Sequence, residues 1–222
     1  MNYKVNNSFS INVGFIVNAT HIDQTIKQTN KLLSDLPSTL FKSIDYKTTS
    51  AMIGAIFCDT LATAAGGIVN PIEKGHPDII PPIAINATEE QLRNYPVGLE
   101  IKCTVGNIEK GANLRAGQTR IGKLTGITWQ AHHQEVEKLL GLVWDFFNDG
   151  HAFNYPVVTG AFYSDELISD DWGEISGTTG RNTKVTGMKS SGKKKMGGGW
   201  VCVVDDVAYI NRYKSLLNFR IT

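Results

Sequence analysis

The sequence is poor in the features that mark several common protein classes. Its 222 residues hold three cysteines, Cys58, Cys103 and Cys202, an odd number set far apart. That argues against a disulfide framework and against a cysteine-based zinc site. No apolar run reaches the ~18 residues of a membrane helix. The opening MNYKVNNSFS also lacks the apolar stretch of a secretory leader. A cytoplasmic protein with no membrane partner is expected. Charge of one sign is missing too, because 22 Lys and Arg face 21 Asp and Glu for a formal net charge of +1. No global field favours nucleic acid, so a polyanion site must come from local clustering. No Gly-x-Ser-x-Gly elbow is present, and the cysteines fall on apolar faces or strands, so covalent catalysis has no support. Gly187-x4-Gly192-Lys193 approaches a phosphate-binding loop. However, Lys194 stands where Ser or Thr should reach Mg2+, and Gly197-Gly198-Gly199 disfavour the helix that should follow. No nucleotide cofactor is expected.

What is present is an ordinary globular balance, 41% apolar and 19% charged, in a chain long enough for one domain with a full core. Phe9, Ile11, Val13, Phe15 and Val17 alternate as a half-buried strand does. Ile22, Ile26, Leu32, Leu33 and Leu36 recur at helical spacing up to Pro37. A second helix is predicted from about Thr49 to Ala65, capped by Thr48 or Thr49 and ended by Gly66-Gly67. Asp59 is an odd carboxylate within it. Thr88-x-x-Gln91 has capping-box spacing for a short helix before Pro96. Val97 to Val105 is the clearest strand, with Leu99, Ile101 and Cys103 on one face and Glu100 and Lys102 on the other. Helical spacing is read over Trp129 to Lys138, then a buried strand over Leu139 to Phe147. Strands are expected at Val157–Tyr163 and Trp200–Ile210, with a Gly/Ser/Thr/Lys loop between Gly173 and Gly199.

One set of residues suits phosphodiester cleavage. That chemistry needs a nucleophilic water, charge at the phosphoryl oxygens and relief for the leaving oxygen. Mg2+ held by one or two carboxylates supplies much of this, and a lysine beside it orients the water or offsets negative charge. Pro77-Asp78 opens one strand and Glu100-x-Lys102 lies on the next. Spacing of two puts Glu100 and Lys102 on one face, with the Ile101 carbonyl as a possible third oxygen ligand. An acid-x-Lys triplet is a weak token by itself. Asp45-Tyr46-Lys47 is a second one, without an upstream Pro-Asp and between two predicted helices. A solvated strand face with a cross-strand ion pair would also look like Glu-Ile-Lys.

Pro77-Asp78 and Glu100-Ile101-Lys102 together resemble the PD-(D/E)XK nuclease superfamily. With its size, the upstream SAMIGAIFCDTLA and the following WQAHHQEVEKLLGLVWDF, the chain most resembles type II restriction endonucleases. The resemblance implies an α/β fold with a restriction-endonuclease-like mixed β-sheet core, αβββαβ, flanked by helices. It covers about residues 48–147 of a single nuclease domain, 1–222. It implies that Asp78 and Glu100 bind Mg2+, that Lys102 positions the water, and that products carry 5′-phosphate and 3′-hydroxyl ends. An auxiliary acid from the preceding helix would be Asp59, with Glu73 as its rival. The partner would be double-stranded DNA, cut at a short specific sequence. A homodimer is expected if that sequence is palindromic. The alternatives are a DNA-repair or phage nuclease without sequence specificity, and a non-catalytic DNA-binding protein.

The part from about 148 to 222 contributes a basic cluster, Arg181, Lys184, Lys189, Lys193, Lys194 and Lys195, with no acid among them. On a loop it would track DNA phosphates, which positions without specifying sequence; a solvated loop is the plain alternative. Lys110, Arg115, Arg120 and Lys123 form a second candidate DNA contact after the catalytic strand. His133 and Glu137 have helical metal-ligand spacing beside His132, but no third ligand is evident. His76 adjoins the Pro-Asp pair as a turn residue or a DNA contact. Asp165, Glu166, Asp170, Asp171 and Glu174 read as a solvated acidic face.

Overall fold

A computed structural model describes residues 1–73, 75–110, 116–146, 155–177 and 185–221. Strands β1 (Tyr3–Val5), β2 (Ser10–Asn12) and β3 (Ile16–Asn18) lead into helices α1 (Ala19–Ser34), α2 (Ser38–Ser43) and α3 (Tyr46–Ala65). Strands β4 (Ile68–Val69) and β5 (Ile79–Ile80), helix α4 (Glu89–Arg93) and strand β6 (Glu100–Thr104) follow. Next come β7 (Asn107–Ile108), β8 (Leu124–Gly126), β9 (Gln130–Ala131), β10 (Leu139–Asp145) and β11 (Val157–Ser164). The last elements are β12 (Thr186–Gly187), α5 (Ser190–Gly198), β13 (Trp200–Val204) and α6 (Val207–Leu217).

Among the described residues the main sheet has five strands in the order β1-β13-β11-β10-β6. It is mixed: β6 runs parallel to β10, and the other pairs are antiparallel. The α/β class expected from the sequence is what is found. Period-two alternation on central β10 divides the core between two layers. Leu140, Leu142 and Trp144 meet Ile22 and Ile26 of α1 and Ile53 and Phe57 of α3. Leu139 and Val143 face the other way, toward Met196 of α5 and Tyr209 and Tyr213 of α6. Each such aliphatic side chain taken fully from water contributes about 1.5–3 kcal/mol.

Local signals set the helix ends. Asn18 caps α1 by accepting from His21 N–H, and Asp35 is its C-cap, two residues before Pro37. Helix α3 starts three residues before the predicted Thr49, because Asp45 accepts the Thr48 N–H at 2.7 Å. The decoy triplet at Asp45-Tyr46-Lys47 is thus a helix cap. Gly66, at φ 75°, closes the helix in the left-handed conformation. Both halves of the Thr88–Gln91 capping box are formed.

The structure corrects several sequence expectations. The alternating stretch from Phe9 to Val17 is a β2–β3 hairpin turning at Gly14 (φ 87°), not one strand. No helix forms over Trp129 to Lys138. Trp129 instead lays its indole over Gly141 of β10, where an added Cβ would come within 2.4 Å of the ring. Its Nε1–H donates to the Leu142 carbonyl at 3.1 Å. The chain here forms β9, which pairs with β12. Among the described residues, the crossover from β6 to parallel β10 shows no α-helix of the kind that an αβββαβ order requires. The basic Gly/Ser-rich stretch contains helix α5 in spite of its glycines. Gly197 lets α5 approach the end of α6, since a Cβ there would lie 1.9 Å from the Leu217 carbonyl oxygen. The strand expected over Trp200–Ile210 stops at Val204, and Asp206 caps α6 by accepting from Ala208 and Tyr209. Among the described residues no helix is long and apolar enough to cross a membrane.

Candidate active site

Asp78 and Glu100 come together through backbone pairing. Ile79 N–H donates to Leu99 O at 3.1 Å and Leu99 N–H returns to Ile79 O at 2.8 Å, an antiparallel bridge. One residue further along this register, Asp78 stands opposite Glu100. The approach needs Gly98, where a Cβ would lie 2.3 Å from Ile79 O and 2.4 Å from Pro77 Cγ. Like charges opposite one another on paired strands are destabilising, so these two carboxylates need compensation.

Lys102, two residues along the same strand face, supplies part of it. Its Nζ contacts Glu100 Oε1 and lies 3.5 Å from Asp78 Oδ2. Asp78 Oδ2 also accepts the Ile101 N–H at 2.8 Å. Glu100 N–H points toward β10, donating to Lys138 O, so the polar groups of Ile101 point to the open edge of β6. The Ile101 carbonyl therefore lies on the same side as Asp78. His76 adds a second partner, with Nδ1 3.2 and 3.3 Å from the two Glu100 oxygens. A carboxylate can only accept, so Nδ1 is the donor.

The electrostatics follow from this packing. Burial pushes the Asp78 carboxyl above its usual range, and the Glu100 charge pushes it further. Burial would raise Glu100 as well, but the His76 hydrogen bond and the Lys102 charge outweigh it and hold Glu100 down to about 2. Burial would lower Lys102, yet Glu100 and Asp78 keep its ammonium above the ordinary value. His76 is raised by its bond to Glu100, whereas His133 is lowered by burial and by His76.

Asp78 and Lys102 open into a cleft of about 870 Å³ at the edge of β6. Lys47, Ser50 and Cys58 of α3 form one wall. Thr128, Gln130 and His132, on and beside β9, line it too. The donor set suits a hard cation with oxygen ligands: two facing carboxylates, a main-chain carbonyl on the open edge, and an Asp78 Oδ1 without a protein partner among the described residues. Among those residues no group of three or more His, Cys, Asp or Glu is placed to hold a metal, so the zinc arrangement at His133 and Glu137 does not form. His133 instead packs edge-on against His76, 4.7 Å between centroids.

Other expected site residues lie elsewhere. Asp59 is exposed on α3 and does not line the cleft, because its neighbour Cys58 takes the inward position. Glu73 is also exposed. Arg120 is corrected outright as a DNA contact. It is 1% exposed, and its guanidinium lies over the rings of Tyr46, Trp144 and Phe146 at 4.1, 4.4 and 5.4 Å. Lys123, Lys189 and Lys194 are exposed and Lys193 is half-buried. Lys195 is held by Asp171 Oδ2 and Glu166 O, both at 2.6 Å. Asp171 is therefore a buried partner, not part of a solvated face. Arg115, Arg181 and Lys184 lie outside the described residues.

Sequence reasoning missed the role of His76, for which adjacency to Pro77-Asp78 was the available signal. It also missed the wall formed by Thr128, Gln130 and His132, which the helical spacing of that segment concealed. Comparison with known proteins finds no matching family model, no matching curated protein and no matching solved structure.

Proposed function

We propose that this protein is a Mg2+-dependent endonuclease of the PD-(D/E)XK type, cutting double-stranded DNA at a short specific sequence as type II restriction enzymes do. One observation carries the reading. Two carboxylates, a part-exposed Asp78 and a buried Glu100, stand opposite each other and share the Lys102 ammonium, with Asp78 and Lys102 opening into a cleft. A packed core has no use for that arrangement, since an apolar pair would be cheaper.

Asp78 and Glu100 would hold the cation, with the Ile101 carbonyl beside them. The cation supplies positive charge at the phosphoryl oxygens and makes water more acidic. Lys102, within reach of both carboxylates, would orient the attacking water and offset the negative charge that develops on the phosphoryl oxygens. Water attacks opposite the 3′ oxygen. A P–O bond to the water oxygen forms as the P–O3′ bond breaks, the water gives up a proton to solvent and the 3′ oxygen takes one up, leaving 5′-phosphate and 3′-hydroxyl ends. Lys47 at the rim adds a cation where a backbone phosphate would pass. Lys189 and Lys194 are available for phosphates outside the cleft. A palindromic target would bring two copies together on one two-fold axis.

The test is a digest of a defined plasmid with Mg2+ or with EDTA, alongside Lys102→Ala. Discrete Mg2+-dependent bands that vanish in the variant are expected. A smear would replace sequence specificity by a repair or phage type of nuclease. No cleavage of several DNAs, with binding indifferent to metal, would leave Glu100 and Lys102 as an ion pair in a DNA-binding protein.

A further inference from the structure

Glu100 is the more enclosed of the two carboxylates, at 4% exposure. It faces His76 as well as Lys102. The His76 imidazole reaches both carboxylate oxygens almost equally, at 3.2 and 3.3 Å, so it lies across the mouth of the group. Its own placement is strongly determined. His76 N–H donates to Arg93 O at 3.1 Å, and its carbonyl accepts from Tyr95 N–H at 2.7 Å. The next carbonyl, of Pro77, accepts from Asn70 Nδ2 at 3.2 Å. The ring packs against His133, whose Nδ1 accepts the Glu135 N–H at 3.3 Å. Behind this pair lies a separate pocket of about 430 Å³, lined by His76, His133 and Glu100. A rigid donor on one side of a carboxylate and a flexible lysine on the other have different consequences. A cation held at Asp78 in the cleft would reach Glu100 by displacing Lys102, whose long side chain can swing away. The imidazole cannot, and it keeps the carboxylate plane from turning with the lysine.

We propose that His76 is a positioning residue that holds the Glu100 carboxylate in the orientation needed to bind a divalent cation together with Asp78. This rests on the metal-dependent reading of the site. Partners of this kind, which hydrogen-bond a metal-binding carboxylate, change metal affinity by about tenfold to a hundredfold when removed.

The experiment titrates the full-length chain with Mn2+, following free ion by electron paramagnetic resonance. Wild type, Asp78→Asn, His76→Ala and His76→Asn are compared, with thermal melts in the absence of metal. His76→Ala is expected to bind Mn2+ about tenfold to a hundredfold more weakly. His76→Asn, whose amide can donate to the same carboxylate, should recover most of the loss. Wild-type affinity in a folded His76→Ala overturns the proposal, as does equal weakness in both His76 variants. If His76→Ala does not fold, His76→Asn decides alone: affinity near wild type supports the proposal, and a loss as large as that of Asp78→Asn overturns it. Wild type that ignores Mn2+, or binds it no better than Asp78→Asn, defeats the metal reading and this proposal with it. Binding that depends on Asp78 but not on His76 defeats this proposal alone.

Discussion

Two charge clusters, one buried and one part-exposed, stand at different places along the same sheet, and they differ in how their oxygens are used. At Asp145, at the end of β10, both oxygens are fully occupied. Oδ1 accepts from Arg120 N–H and Phe146 N–H at 3.1 and 2.7 Å, and Oδ2 from Arg120 N–H and Tyr209 O–H at 2.8 and 2.9 Å. The Arg120 guanidinium is closed in by aromatic rings. At Asp78, only Oδ2 is engaged, by Ile101 N–H and Lys102, and the group opens on a cleft. Burial pushes the carboxyl upward in both clusters. Perturbed titration is common to both clusters; free acceptor capacity at an accessible edge is what distinguishes them.

The sharpest test of that difference is to remove one cation from each cluster. On the proposed reaction, Lys102→Ala should lower the cleavage rate by about a hundredfold to ten-thousandfold. Steady-state digestion under saturating Mg2+ would measure it, with the fold intact by circular dichroism. Arg120→Ala should do the reverse. It strips the stacking on three rings and opens a cavity, while the backbone bonds to Asp145 remain, and this costs about 2–5 kcal/mol in urea unfolding. The folded fraction should cut normally. Arg120→Lys should recover only part of the loss, because an ammonium cannot lie flat on three rings. A stable Arg120→Ala that no longer binds DNA would break the distinction.

A smaller effect has an informative sign. Asp78 has a folded pKa above its ordinary 3.8, so at neutral pH its ionised form opposes folding. That opposition vanishes once the pH is below 3.8 and the group is protonated in both states. Asp78→Asn keeps an oxygen for the Ile101 N–H and removes one of two facing charges. It should therefore be at least as stable as wild type at pH 7, lose that advantage below pH 3.8, and be inactive throughout. Glu100 is shifted the other way, so its stabilising contribution is present above its ordinary 4.5 and lost as pH falls toward 2. Thermal melts across this range would show opposite trends for Asp78→Asn and Glu100→Gln. Parallel trends would mean that the pair does not share charge unequally.

The division between legible and hidden features follows the range of the forces involved. Helix α3 and strands β6 and β10 could be read because a terminal glycine, period-two alternation in β6 and a short apolar run in β10 act within a few residues, although the α3 cap proved to be Asp45 and not Thr48 or Thr49. The Asp78, Glu100 and Lys102 set was legible only because the Glu-x-Lys spacing fell on a clear strand after an upstream Pro77-Asp78. His76 was not, since its value arises only when β5 meets β6 through Gly98. Arg120 looked like its neighbours Lys110 and Lys123 because nothing local says that Tyr46, Trp144 and Phe146 will close on it. The segment after Gly126 had helical spacing, but Trp129 gains more by filling the space over Gly141. In α5, glycines that read as helix breakers are spaces for Met188 and the end of α6.

The lysines of α5 carry the same contrast at the surface, with the smallest expected effects. Lys189 and Lys194 are exposed, whereas Lys195 is bound to Asp171, whose carboxyl its hydrogen bond holds below the ordinary 3.8 against the effect of burial. A lysine that meets a phosphate releases counterions, so its removal should flatten the plot of log binding constant against log salt by about 0.9. Lys194→Ala is expected to do this with no change in melting temperature. Lys195→Ala should leave the slope alone and lower the melting temperature at neutral pH. That loss should fade in acid, because the Asp171 contribution disappears as pH drops through its folded value. Equal slopes for wild type and Lys194→Ala would remove this α5 lysine from the proposed DNA contact and shift the test to Lys47 at the cleft and to Lys123.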